Sequence, residues 1–276
     1  MTITTTSTAR KTAGHSAHPG CSAITTAVRS VPLVDCHCHL ELPQFDSSLE
    51  GVLARCRERG VAAVVSALAE RSRLERLLSI ARSHDFVFTA LGVDPYAAEG
   101  WREALELVKP HLAGRKCVAI GEIGLDHHHS QNAVEWALQE EAFTAQLQLA
   151  ERVGLPVVVH SRKAEDRVLQ ILEGFPGVKV VLHCFLVPRL AVEAERRGYF
   201  VSLPSVKSSG VEKIVGRCSR VVCETDSPFL SPDGGVNEPW KVAASYEAVA
   251  RCRKQSLDEA AAGVNAVVER LYGIRV

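Results

Sequence analysis

Five apolar runs in this chain stop at residues that bind metals or move protons. VPLVD, from residue 31, runs into Cys36-His37-Cys38-His39. A second run ends in Gly121-Glu122-Ile123-Gly124-Leu125-Asp126, a third in His160-Ser161-Arg162 and a fourth in His183-Cys184-Phe185. The last ends in Glu224-Thr225-Asp226-Ser227-Pro228. One histidine at a strand end more often makes a hydrogen bond than holds a metal, because imidazole serves many roles. Taken together, four imidazoles and two carboxylates are harder to bury. Without a cation they would leave polar groups unpaired, at a cost of several kcal/mol. An open catalytic zinc keeps about three protein ligands, so six are too many for one ion. Two ions about 3.5–4 Å apart, bridged by one carboxylate, would use all six.

Such a cluster needs elements that bring distant residues together. From residue 31 the chain alternates short apolar runs with helical patterns. Strands are expected at VPLVDCH, VAAVVSALA, FVFTALGVDP, KCVAIGEIGLD, LPVVVHS, VKVVLHCF, GYFVSLPS and RVVCETDSP. Helices are expected between them, among them LEGVLARCRERG, RSRLERLLSIARSH, GWREALELVKPHLAG and the long VEWALQEEAFTAQLQLAERVG. The tail from VAASYEAVARCR to AVVERLYGI also reads as helical. Near-continuous apolar strands are buried on both faces and suit a parallel sheet. Eight such strand–helix units predict an α/β fold, a (β/α)8 TIM-type barrel with room for distortion. A doubly wound open sheet is the alternative, weakened because no G-x-G-x-x-G follows the first strand. In a barrel the carboxyl ends of all strands open on one face, where active sites are built. Alternate residues of a strand share a face. Asp35, His37 and His39 should therefore look toward the mouth, with Cys36 and Cys38 toward the helices.

Composition limits the function classes. The chain has 276 residues, and a single α/β barrel takes about 250. Residues 31–276 are accordingly expected to form one domain. Residues 1–30 are rich in Thr, Ser and Ala and lack acids and an apolar signal core, which predicts a disordered leader with His15 and His18 in solvent. Lys plus Arg and Asp plus Glu both number 32, so no global field attracts nucleic acid or an anionic membrane. An anionic substrate must be held by local groups. No apolar run reaches the length of a membrane span. Nine cysteines scattered through apolar runs suit reduced, packed thiols and a cytoplasmic location better than a secreted disulfide framework. Aromatic residues make up only 5%, which argues against extended single-strand stacking and for a grip on a short end.

The motifs Asp35-x-His37-x-His39-Leu40, Gly121-Glu122-Ile123-Gly124-Leu125-Asp126, His160-x-Arg162, His183-Cys184-Phe185 and Glu224-Thr225-Asp226-Ser227-Pro228 resemble those of the TatD family of metal-dependent deoxyribonucleases, within the amidohydrolase-like barrels. The likeness runs in order from about residue 31 to the C-terminus. It includes QLQLAERVGLPVVVH, Asn237-Glu238-Pro239 and the closing helix from Asn265 to Tyr272. The resemblance implies that His37, His39 and Asp226 hold one divalent ion and that His160 and His183 hold another. Glu122 would bridge them, and the ions would be Mg²⁺, Mn²⁺ or Zn²⁺. It implies a water activated between the ions, with Glu122 and Asp226 as the catalytic carboxylates and Asp226 as the proton acceptor. DNA or nucleotide ends would be the substrate. Arg162 could meet a phosphate bidentately or form a surface ion pair. Asp126, His127 and His128 could touch substrate or stand behind the ligands, and His129 is expected in solvent.

The chain departs from the family in two places. Gly92-Val93-Asp94-Pro95 stands where the family often has Gly-x-His-Pro, and Asp94 would repel a phosphate unless it meets a metal or an arginine. Ser202-Leu203-Pro204-Ser205-Val206-Lys207 replaces a Ser-x-x-Gly pattern, and Lys207 is expected to contact phosphate or stay solvated. Three functions are expected to compete. The first is a two-metal deoxyribonuclease acting on single-stranded ends. The second is an amidohydrolase-type carbonyl hydrolase, for an amide, lactone or aminoacyl ester, on the same site. The third is a non-catalytic barrel, disfavoured because every expected ligand is present.

Overall fold

In the computed structural model of the chain, residues 31–130 and 132–276 are described. The leader expected over residues 1–30 lies outside the described residues. Eight parallel strands follow one another in sequence order around the sheet: β1 (Leu33–Cys38), β2 (Val61–Ala67), β3 (Val87–Ala90), β4 (Cys117–Asp126), β5 (Val157–Arg162), β6 (Val180–Leu182), β7 (Phe200–Pro204) and β8 (Val221–Glu224). Between them run α1 (Leu49–Glu58), α2 (Leu74–Ser83), α3 (Trp101–Val108), α4 (Ala133–Val153), α5 (Glu165–Leu172), α6 (Pro188–Arg196) and α7 (Ser209–Val215). The chain closes with α8 (Ala243–Arg253) and α9 (Leu257–Tyr272). This is a (β/α)8 barrel. The apolar strands are buried along nearly their whole length, as the absence of polar alternation requires. Among the described residues, no helix is long and apolar enough to cross a membrane.

The ring closes between β8 and β1 by a seam rather than a regular ladder. Thr225 donates to the buried Asp35 carboxylate from its backbone N–H (2.9 Å) and its hydroxyl (2.6 Å). Beyond them, Asp226 N–H donates to His37 O (2.9 Å) and His39 N–H to Ser227 O (2.7 Å). Buried, hydrogen-bonded Asp35 therefore fixes both strands that carry site residues. Cys38 Sγ lies 3.7 Å from Val65 O, and Cys36 and Cys38 are buried as free thiols, as the alternation of β1 requires.

Three strands are shorter than their apolar runs suggest. β3 ends at Ala90, where the chain turns toward a 3-10 turn at Pro95–Ala97, and β6 ends at Leu182. β8 ends at Glu224, and Asp226 then takes a left-handed conformation with φ 56°. An Asp tolerates that region better than a bulky residue does. The helical tail splits after Lys254 (φ 54°), and α9 restarts on a capping box between Ser256 and Glu259.

Two glycines let β4 sit tightly against β5 on either side of Glu122. A Cβ at Gly121 would lie 2.7 Å from Val158 Cβ, and one at Gly124 (φ 133°) 2.1 Å from His160 O. Gly124→Ala should therefore cost about 3 kcal/mol or more through overpacking. Gly154→Ala, where φ is 72° but nothing lies within 4 Å, should cost only the backbone strain, about 1–2 kcal/mol. Urea unfolding midpoints of the two variants check this, and equal losses would refute it.

Candidate metal centre

His37 and His39 leave the end of β1, Glu122 stands in the outer half of β4, and His160 lies near the end of β5. His183 and Asp226 lie one and two residues beyond β6 and β8. All six converge at the mouth. The Nε2 atoms of His37 and His39 are 3.2 Å apart. Glu122 Oε2 faces them at 3.5 and 3.8 Å, and Asp226 Oδ1 at 3.6 and 3.3 Å. The other Glu122 oxygen, Oε1, faces His160 Nδ1 at 2.8 Å and His183 Nε2 at 3.6 Å. One carboxylate thus presents one oxygen to each pair of imidazoles. Three overlapping ligand groups result: His37, His39 and Glu122; His37, His183 and Asp226; and Glu122, His160 and His183. Within each, the ligand atoms lie within 4.8 Å of one another.

The outward nitrogens explain what the inward ones need. His39 Nδ1 lies 3.0 Å from Ala67 O, an acceptor only. His183 Nδ1 lies 3.1 Å from the buried Glu224 carboxylate, and His160 Nε2 lies 3.0 Å from Asp126 Oδ2. Each outer acceptor holds a ring N–H, so a neutral ring turns a lone pair into the site. Those lone pairs face carboxylate oxygens. Only a proton on each ring or a cation between the groups makes the arrangement attractive. The donor set of imidazoles and carboxylates suits a divalent ion.

The charge states follow the same logic. Burial pulls His39 down, but the Asp226 hydrogen bond and charge outweigh it and take the ring up to about 9. Burial also opposes His160, and its bonds to Asp126 and Glu122 raise it to about 9. For His183, burial is outweighed by the Glu224, Glu122 and Asp226 charges, which take it to about 10. His37 goes the other way: burial and the His183 ring, stacked at 3.9 Å, lower it. Burial resists ionisation of Glu122, yet His183, His160 and His37 hold it well below the usual carboxylate range. Asp226 is also lowered, by His183 and His39 acting against burial.

The remaining expected site residues fall in different places. Asp126 has no exposed surface, and both oxygens are engaged. Oδ1 accepts from the backbone N–H groups of His128 and His129, and Oδ2 meets His160, His129 Nδ1 and the Tyr96 hydroxyl. Of its two expected places, against substrate or behind the ligands, full burial and the His160 contact favour the second. Arg162 is exposed at the end of β5, and its charge reaches the half-buried His128. Lys207 is exposed beyond β7. His127 stacks on Trp136 at 4.3 Å. Asp94 caps the turn after β3, accepting from Ala97 N–H at 3.0 Å. Burial and the Glu122 charge push its pKa up to about 7, so at neutral pH it carries only part of the charge that would repel a phosphate. Sequence reasoning assigned no role to Glu224 or Tyr96. An acid closing the apolar run Val221-Val222-Cys223 was the available signal for Glu224, whereas Tyr96 sits in a loop-like stretch with none.

A family model for TatD-related DNases matches residues 34–273. This chain belongs to the TatD family. It is 35% identical over 247 residues to the human deoxyribonuclease TATDN3, covering 83% of this chain and 90% of that protein. It is 28% identical to a Shigella flexneri protein named 3'-5' ssDNA/RNA exonuclease TatD, covering 88% and 99%. The Escherichia coli TatD homologue YJJV superposes with a TM-score of 0.79 at 26% identity, covering 88% of this chain and 98% of that one. A TatD-family member whose candidate ligands converge in this way is a metal-dependent hydrolase of ester bonds.

Two outcomes follow from the pinned rings. Asp126→Asn should weaken divalent-ion binding about 10–100-fold, the usual cost of losing such a partner. Competition with a chelating dye measures it, and unchanged affinity would remove Asp126 from the centre. The three raised histidines also predict a pH effect. An ordinary unfolded histidine titrates at about 6.5. In ion-free protein their contribution to stability is therefore complete below that pH and is lost as pH rises through about 9 to 10. A bound ion replaces those protons. The difference in melting temperature between Mn²⁺-loaded and chelator-treated protein should widen from pH 7 to pH 10, and a constant difference would contradict the account.

Proposed function

We propose that this chain is a two-metal deoxyribonuclease that hydrolyses phosphodiester bonds at single-stranded DNA ends. The observation that carries the reading is Glu122, with one oxygen toward His37 and His39 and the other toward His160 and His183. His37, His39 and Asp226 form one ligand set, His160 and His183 the other, and Glu122 is shared. Mg²⁺, Mn²⁺ or Zn²⁺ would fit these donors. When bound, such a pair supplies a water of lowered pKa and neutralises charge on the phosphoryl oxygens.

The residues then divide the remaining work. Asp226, ionised and adjacent to His37 and His39, accepts the proton of the attacking water. Asp126 holds His160, and Glu224 holds His183 and the backbone N–H of Cys184 (2.8 Å). Arg162 is an exposed cation at the end of β5 suited to a substrate phosphate. A chain with no net charge needs such a local grip, and a short end suits it better than a long duplex. The Shigella relative's name, an exonuclease of single strands, supports ends as the substrate. Nucleic-acid names among the relatives favour the phosphodiester over the carbonyl alternative.

The test is chelated protein titrated with Mg²⁺, Mn²⁺ and Zn²⁺ against 3'- and 5'-labelled single-stranded DNA, beside a panel of esters and amides. Metal-dependent release of nucleotides from one labelled end is expected. Asp226→Ala should lower kcat about 10²–10⁴-fold, as removal of a general base does. Unchanged cleavage in Asp226→Ala and His160→Ala, or turnover confined to the carbonyl compounds, would sink the reading.

A further inference from the structure

Tyr96 is held at one end and open at the other. Its hydroxyl donates to Asp126 Oδ2 at 2.7 Å, yet the residue is 57% exposed. The ring stands 5.7 Å from the His160 ring, edge to face. Burial and the Asp126 bond raise the phenol well above its ordinary pKa, so it stays neutral. A neutral, anchored aromatic ring beside a ligand of the centre is a fixed plate rather than a mobile side chain.

Outside this plate lies a cleft of about 580 Å³, walled by Pro95, Tyr96, His129, Val134 and Leu138. Val134 is 72% exposed, although it is apolar and faces this space. Among the described residues the cleft has no Lys or Arg, while Glu99 and Glu135 also line it. It would repel a phosphate and accept a flat, uncharged group. Arg162, by contrast, follows His160 at the end of β5. The anionic part of a nucleotide would thus find Arg162, two residues beyond His160 on β5, and its neutral part the cleft whose Tyr96 ring stands against His160.

We propose that this cleft is a nucleobase subsite, in which the base of the nucleotide carrying the scissile phosphate stacks on Tyr96. The inference rests on the nuclease reading and deepens it. Stacking tolerates any base, since each has a π-face, so the subsite confers a preference for unpaired nucleotides rather than for a sequence. Tyr96 has two separable parts: the ring serves the base, and the hydroxyl supports Asp126.

The probes are thymidine 5'-(p-nitrophenyl phosphate), thymidine 3'-(p-nitrophenyl phosphate) and methyl p-nitrophenyl phosphate. They share a leaving group and differ in the presence and side of the base. Wild-type protein loaded with Mn²⁺ should show a lower KM for one thymidine ester than for the methyl ester. Tyr96→Ala should erase that preference, a change of about 5- to 150-fold for one stacked base. Tyr96→Phe keeps the ring and should retain the preference even if kcat falls through Asp126. A preference that survives Tyr96→Ala, or a KM for the methyl ester that rises as much as that for the thymidine ester, would overturn the subsite. Single-stranded DNA assayed in parallel separates the two readings. Cleavage of DNA without a Tyr96-dependent preference refutes the subsite alone. A Tyr96-dependent preference without DNA cleavage supports the subsite and refutes the nuclease reading.

Discussion

The site depends on one electrostatic constraint: imidazole lone pairs and carboxylate oxygens are turned toward the same small volume. His39, His160 and His183 cannot relieve it by switching ring nitrogens, because Ala67 O, Asp126 and Glu224 occupy the outward ones. Protons or cations must enter between them. The barrel contributes stiffness. Close packing and parallel ladders hold the acceptors in place, so the rings cannot turn away from one another. A looser scaffold would let the same residues find separate partners and lose their common focus.

That stiffness comes from unlike sources on the two sides of the mouth. On the β4–β5 side it is close backbone approach, made possible by the missing side chains of Gly121 and Gly124. On the β8–β1 side it is a buried carboxylate, Asp35, bonded to Thr225. Glu122 sits on the first side and Asp226 on the second. The two carboxylates that face His37 and His39 are therefore positioned independently, one by steric fit and the other by hydrogen bonding.

Much of this was legible in the residue string. Period-two alternation put His37 and His39 on one face and the cysteines on the other, because a strand allows nothing else. Eight apolar runs in alternation with helical patterns led to the barrel, and the barrel brought His160, His183 and Asp226 to one end. The local ends of strands were less legible. Runs such as Val178–Phe185 stay apolar beyond the ladder, since residues past the strand still pack in the core. The outer partners were least legible. That Asp126 serves His160, and Glu224 serves His183, depends on side-chain directions across neighbouring strands, and spacing along the chain carries no record of them. Tyr96 is the extreme case, a loop residue whose role arises only because the turn after β3 folds over β4. Asp94 shows the converse, since its type suggested repulsion until burial and the nearby Glu122 charge reduced its own.

The seam between the first and last strands also sets when the site can exist. Asp35 and Thr225 are 190 positions apart, and Asp226 reaches His37 and His39 only across their junction. During synthesis the first strand emerges long before its partner, and a chain stopped before residue 221 lacks both the clasp and the proposed base. Loop closure over such a span comes late, because its entropy must be met before the contacts repay it. Hydrolytic competence is thus tied to completion of the ring: an unfinished polypeptide contains several of the histidines but lacks the Asp226 carboxylate that faces two of them.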